Sequence, residues 1–207
     1  MPKKIKQLAR TSFQDAGPSS YDRNFLVELF SSNRLDEACE FARQLTKKYP
    51  GFVFGWKILN ICLRNQGHLN EAYEALQRCQ KFTKADPEIF NLHGITLEAL
   101  KKYDEAIKSY ESALRLNPSF LDAYFNLGDC LMHSGKDQLA INVFNEALKI
   151  DPKNINLLNH LGVLLTKIGE FDRSRDILLN AVQINGQSFQ SWINLRKNEE
   201  ASVNIDA

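Results

Sequence analysis

NLHGITLEALKKYDEAIKSYESALRLNP, residues 91–118, and NLGDCLMHSGKDQLAINVFNEALKIDP, residues 126–152, carry one pattern at a fixed offset. Gly94 answers Gly128, Ala106 answers Ala140 and Pro118 answers Pro152, each pair 34 residues apart. The period continues on both sides. Ala38, Ala72, Ala106, Ala140 and Ser174 form one column, and Trp56, Phe90, Tyr124, Leu158 and Trp192 a second. Asn60, Gly94, Gly128, Gly162 and Arg196 form a third, and Leu29, Leu63, Leu97, Leu131 and Leu165 a fourth. Asn33, Gly67, Lys101, Gly135 and Gly169 form a fifth. Five columns in phase, without an insertion, make an internal repeat of a length expected for stacked helical units.

The chemistry of each column fits a helix–turn–helix unit. The aromatic, Leu and Gly columns are spaced three and four residues apart, so they share one face of a first helix. The fifth column falls where that helix must end, and Gly or Asn accepts the left-handed backbone such an ending needs. Lys101 is the exception. The Ala column sits in the second helix, where a small side chain permits close packing. Pro50, Pro118 and Pro152 close their units, since proline cannot continue a helix interior. Lys84 stands where the second unit would close, with a proline at 87 instead, and this predicts a looser junction between units 2 and 3.

These strings resemble tetratricopeptide repeats (TPR), and the resemblance covers roughly residues 20–200. It implies an all-α fold: a right-handed α-α superhelix, or TPR solenoid, of five helix pairs plus a C-terminal capping helix. The repeats lie near 19–52, 53–86, 87–120, 121–154 and 155–188, with the capping helix at 189–200. In that helix Trp192 and Leu195 are expected to pack inward while Arg196, Lys197, Glu199 and Glu200 face water. Residues 1–19 read as a disordered basic leader and 201–207 as a frayed tail. One continuous core predicts a single domain. A narrower stretch, LVELFSSNRLDEACEFARQLTKKYPGFVFGWKIL at 26–59, is similar to the opening repeat of bacterial proteins with SPINDLY or O-GlcNAc-transferase-like, or sulfotransferase, domains after their repeats.

Composition sets the outer bounds. The chain has 207 residues, 43% hydrophobic and 25% charged, with a formal net charge of +1. Such a balance gives no global drive toward nucleic acid. No run of about 20 apolar residues suggests a membrane span, and the basic start lacks an apolar secretory core. A cytoplasmic location is therefore expected. Cys39, Cys62, Cys79 and Cys130 match no zinc spacing and read as free core thiols. No nucleotide-binding, hydrolase-elbow or zinc-protease motif is present, so neither catalysis nor a cofactor or metal is expected.

Function is then expected on the face formed by the first helix of each pair. Positions 2, 5, 9 and 12 of the repeat share that stripe. It reads basic at the start (Arg23, Lys57, Arg64), acidic in the middle (Glu88, Glu98, Asp122, Asp129) and neutral toward the end (Asn156, Asn159, Val163, Thr166). Phe125 and Met132 are apolar anchors with polar neighbours, the anatomy of a peptide site. Some TPR domains clamp a C-terminal carboxylate with Lys, Asn and Arg, but acidic residues interrupt such a set here. The asparagine ladder of O-GlcNAc transferase has a broken counterpart in Asn24, Ile58, Leu92, Asn126, His160 and Asn194. Asn91 and Asn159, one position earlier, offer amides that could hold an extended backbone. The predicted peptide-binding set is Arg23, Lys57, Arg64, Asn91, Phe125, Asn126, Met132, Asn159 and His160. The expectation is a non-catalytic adaptor, a monomer or weak dimer, that binds a protein or peptide, with a multiprotein complex as one setting, and neither nucleic acid nor membrane. The alternative is a recognition module serving a separately encoded glycosyltransferase or sulfotransferase.

Overall fold

The computed structural model describes residues 17–83 and 85–203. These form eleven α-helices and no strand among the described residues: α1 Ser20–Ser31, α2 Leu35–Lys48, α3 Val53–Asn65, α4 Leu69–Cys79, α5 Pro87–Ala99, α6 Tyr103–Leu116, α7 Leu121–His133, α8 Asp137–Ile150, α9 Ile155–Lys167, α10 Phe171–Ile184 and α11 Phe189–Val203. The chain divides into two compact units, Met1–Lys101 with α1 to α5 and Lys102–Ala207 with α6 to α11. The sequence reading expects one domain over 20–200, and the division falls inside the third repeat.

The turn between the helices of a pair is built as the fifth column requires. Asn33, Gly67, Lys101, Gly135 and Gly169 all have positive φ, so Lys101 adopts the left-handed conformation without the residue type that makes it easy. In four of the five turns the next residue's N–H reaches back to the Leu column: Arg34 to Leu29, His68 to Leu63, Lys136 to Leu131 and Glu170 to Leu165, at 2.8–2.9 Å. This is the six-to-one hydrogen bond of a Schellman ending, and it satisfies a carbonyl the helix itself cannot.

Helix starts are read from their caps. Ser19 and Asp22 form a reciprocal capping box at α1, so Asp22, where other repeats place an aromatic or Leu, satisfies the helix start instead. Asp86 caps α5, and Pro87 is its first residue. Pro87 therefore opens a helix rather than closing the second repeat late, because a first-turn proline gives up no helical hydrogen bond.

In the first unit α1 packs on α2, α3 on both α2 and α4, and α5 on α4 and α3. Leu26, Leu29, Leu63 and Leu76 are fully enclosed there, beside Ala38 and Ala72. In the second unit α7 packs on α6 and α8, α9 on α8 and α10, and α11 on α10 and α9. Close approach there depends on glycine. A Cβ at Gly128 would stand 2.4 Å from the Phe144 ring, and one at Gly162 2.5 Å from Leu178. Ser174, which replaces the column's alanine, is buried and donates to the Gly162 carbonyl at 2.8 Å. Asn60 stands at the Gly position of α3. Its amide donates to the Ala72 carbonyl at 3.0 Å and to Thr96 Oγ1 at 2.9 Å, tying α3 to α4 and α5.

α11 departs from expectation. It runs to Val203, so three residues assigned to a frayed tail are helical; 204–207, and residues 1–16 of the expected leader, lie outside the described residues. Its inner face is Ser191, Asn194, Leu195 and Asn198, all buried, whereas Trp192 is 50% exposed. Polar pairing turned the helix this way. Asn159 Nδ2 donates to Ser191 Oγ at 3.1 Å, and Asn194 Nδ2 to Asn159 Oδ1 at 3.3 Å. Asn198 accepts from Thr166 Oγ1 at 2.9 Å and donates to the Phe171 carbonyl at 3.0 Å. Trp192 Nε1 instead caps the Gly186 carbonyl at 2.9 Å.

Candidate functional site

The predicted site residues fall in both units. In the first unit Arg23 is exposed and turned back on its own helix start, its Nε donating to the Pro18 carbonyl at 3.0 Å. Lys57 spans from α3 to the start of α5, where its ammonium meets Asp86 at 2.7 Å and also Glu88. Burial opposes the charge on Lys57, but the two carboxylates outweigh it and hold the ammonium above its ordinary range. The basic and acidic stretches read from the stripe thus neutralise each other here, and the Lys57 side chain is only 13% exposed. Arg64 is half-buried and Asn91 is 6% exposed, so Asn91 is a core amide and not a surface one. Phe54, at 41%, and Val27, at 47%, are exposed apolar groups on the first helices of this unit.

In the second unit α7 and α9 bring three groups together. The rings of Phe125 and His160 meet edge to face, centroids 4.5 Å apart. His160 Nδ1 donates to the Asn156 carbonyl at 2.8 Å, which directs Nε2 toward Asp129 Oδ1 at 3.7 Å. When the ring is protonated this is an ion pair, with both side chains about one-third exposed. Asn126 and Met132 on α7 are half-buried, and Val163 on α9 is 41% exposed. Asn159 does not join them. At 6% exposure, with its amide committed to Ser191 and Asn194, it anchors α11. Asp129, one turn after Phe125, completes this cluster although it was outside the predicted set; the i, i+4 spacing was the signal for it.

All four cysteines are buried and free. Burial pushes the Cys62 and Cys79 thiols up to about 11, which makes them poor nucleophiles. Among the described residues no group of three or more His, Cys, Asp or Glu is placed to hold a metal ion. No helix among them is long and apolar enough to cross a membrane.

The helix pairs, their left-handed turns and the small-residue columns meet a matching family description: residues 91–155 match the tetratricopeptide-repeat family model. Over that stretch the chain is similar to a tetratricopeptide repeat. The chain is 23% identical over 147 residues, 71% of its length, to anaphase-promoting complex subunit 3 of Schizosaccharomyces pombe, of which it spans 22%. It is 35% identical over 68 residues, 33% of the chain, to the probable UDP-N-acetylglucosamine–peptide N-acetylglucosaminyltransferase SPINDLY of Arabidopsis thaliana, of which it spans 7%. The likeness to SPINDLY is thus a distant and partial one. The solved structure of YrrB, described as a TPR protein with an unusual peptide-binding site, superimposes with a TM-score of 0.66 at 19% identity, covering 84% of this chain and 90% of that one. The chain spans between 18% and 24% of the length of the first curated relatives it matches. No catalytic domain is evident among the described residues.

Proposed function

We propose that this protein is a non-catalytic adaptor whose first-helix face holds a segment of another protein, as one member of a multiprotein assembly. The observation that carries this reading is the Phe125–His160–Asp129 cluster on α7 and α9, an accessible aromatic group with an oriented imidazole and a carboxylate beside it. A buried aromatic contact with a polar rim is what concentrates binding energy at protein interfaces. The half-buried Asn126 and Met132 and the exposed Val163 extend it along the same helices. In the first unit, taken by itself, Phe54, Arg23 and Arg64 stand on first helices, with Lys57 held as a bridge between helices. A complex subunit among the relatives and a peptide-binding description on a structural neighbour agree with the reading.

The test is affinity purification from the source lysate with quantitative mass spectrometry, wild type beside a Phe125→Ala/Asp129→Ala/His160→Ala variant whose helical circular dichroism is unchanged. A protein recovered by wild type and reduced about tenfold in the variant supports the face assignment. Equal recovery overturns it. The second reading, a recognition module for a separate transferase, rests on the SPINDLY likeness alone and ranks behind the adaptor.

A further inference from the structure

The first unit has a second accessible feature, away from the first-helix residues discussed so far. The ends of α2 and α4 flank a cleft of about 550 Å³. Its floor is apolar and comes from α3: Trp56, fixed by its Nε1 donating to the Pro50 carbonyl at 2.8 Å, and Leu59. One wall carries Phe82, whose side chain remains 49% exposed. The charged groups lining the cleft are Arg43, Lys47, Arg78 and Lys81, four cations and no carboxylate.

The electrostatics of these four differ. Arg43 pairs with Glu71 at 3.2 Å and Arg78 with Glu74 at 3.6 Å, both carboxylates about half exposed and outside the lining. Lys47 and Lys81 have no ion-pair partner among the described residues. They stand 34 residues apart and so occupy the same place in consecutive repeats. The same place in the second unit is held by Arg115, whose bond to Ser112 Oγ at 2.6 Å leaves its charge in place, by Lys149, paired with Glu146 at 2.6 Å, and by the neutral Gln183. In the first unit the repeat thus places two uncompensated ammonium groups at the mouth of an apolar-floored cleft.

We infer that this cleft is a docking site for an acidic peptide segment carrying one aromatic or aliphatic anchor residue. The anchor rests on Trp56 and Leu59 beside Phe82, and carboxylates flanking it meet Lys47 and Lys81, with Arg43 and Arg78 behind them. The volume lies within the range of sites that enclose a few side chains. Charge complementarity selects the sign of the partner and speeds its encounter, while the apolar floor supplies affinity that a plain polyanion cannot use. A nucleic acid would need a longer cationic track than one cleft of this size.

The test uses the full chain and a fluorescein-labelled heptapeptide of six Asp and Glu residues around a central Phe, read by fluorescence anisotropy. Binding should weaken about tenfold in Lys47→Glu/Lys81→Glu and about threefold in Phe82→Ala. It should also weaken when the peptide's Phe is replaced by Gly, and when salt is raised. The milder Lys47→Gln/Lys81→Gln pair gives the same ordering if charge reversal disturbs folding. Unchanged affinity in the lysine variants would overturn the proposal. So would a Gly-centred peptide or a single-stranded DNA oligonucleotide that binds as tightly as the Phe peptide, since either result would mean unspecific polyanion adhesion.

Discussion

His93 shows how far a single side chain can depart from what its type suggests. It is 5% exposed on α5, edge to face with Tyr73 at 5.3 Å, and its Nε2 has no hydrogen-bond partner among the described residues. Burial pushes its pKa down to about 4, against an ordinary 6.5. As pH falls below about 6.5 the unfolded chain takes up a proton that the folded chain refuses until about 4. Stability from this group is therefore complete above 6.5 and is lost between those limits, by about 3 kcal/mol at most. Urea unfolding at pH 7.5 and 4.5 checks this. The drop between the two should be clearly smaller in His93→Phe than in wild type, and an equal drop would remove His93 as the cause. Neither the burial nor the missing partner was legible in the sequence, where His93 is one of four scattered histidines.

At the scale of the element, the periodic columns predicted how helices meet, and the second unit shows why the columns are narrow. Gly128 on α7 faces Phe144 on α8, which is fully buried and has little room to retreat. Gly128→Ala should destabilise by about 1–2 kcal/mol, since overpacking outweighs the better helix propensity of alanine. A urea midpoint that rises instead would show that the Phe144 ring can move. Periodicity alone failed for α11. Reading the aromatic column turned Trp192 inward, but that helix has a polar inner face of Ser191, Asn194 and Asn198. Amide groups on α9 and carbonyls at α10 select it, because a buried polar group must find a partner. Asn159 was for the same reason misread as a surface amide: its hydrogen-bond partners lie 32 and 35 residues further along the chain.

At the scale of the whole molecule, stability in stacked helical repeats is close to a sum over neighbouring helices, so elements with neighbours on one side open first. Within the first unit the extensive packing of α1 is on α2, whereas α3 packs on α2, α4 and α5. Native-state hydrogen exchange should therefore find α1 amides less protected than those of α3, and equal protection would contradict a neighbour-by-neighbour account. Binding belongs to this scale too, because a fold of this type is shared by proteins of many functions and only particular side chains distinguish them. The sequence by itself determined the repeat length, the helix pairs, the left-handed turns and the small-residue columns, since these are local and recur at a fixed spacing. Only the tertiary structure decided which polar residues remain available. It committed Lys57 to Asp86 and Glu88 and turned Asn91 and Asn159 into the core. It also joined Phe125, Asp129 and His160 into one cluster. Charge pairing and amide satisfaction depend on partners brought close by packing, and a one-dimensional spacing does not record them.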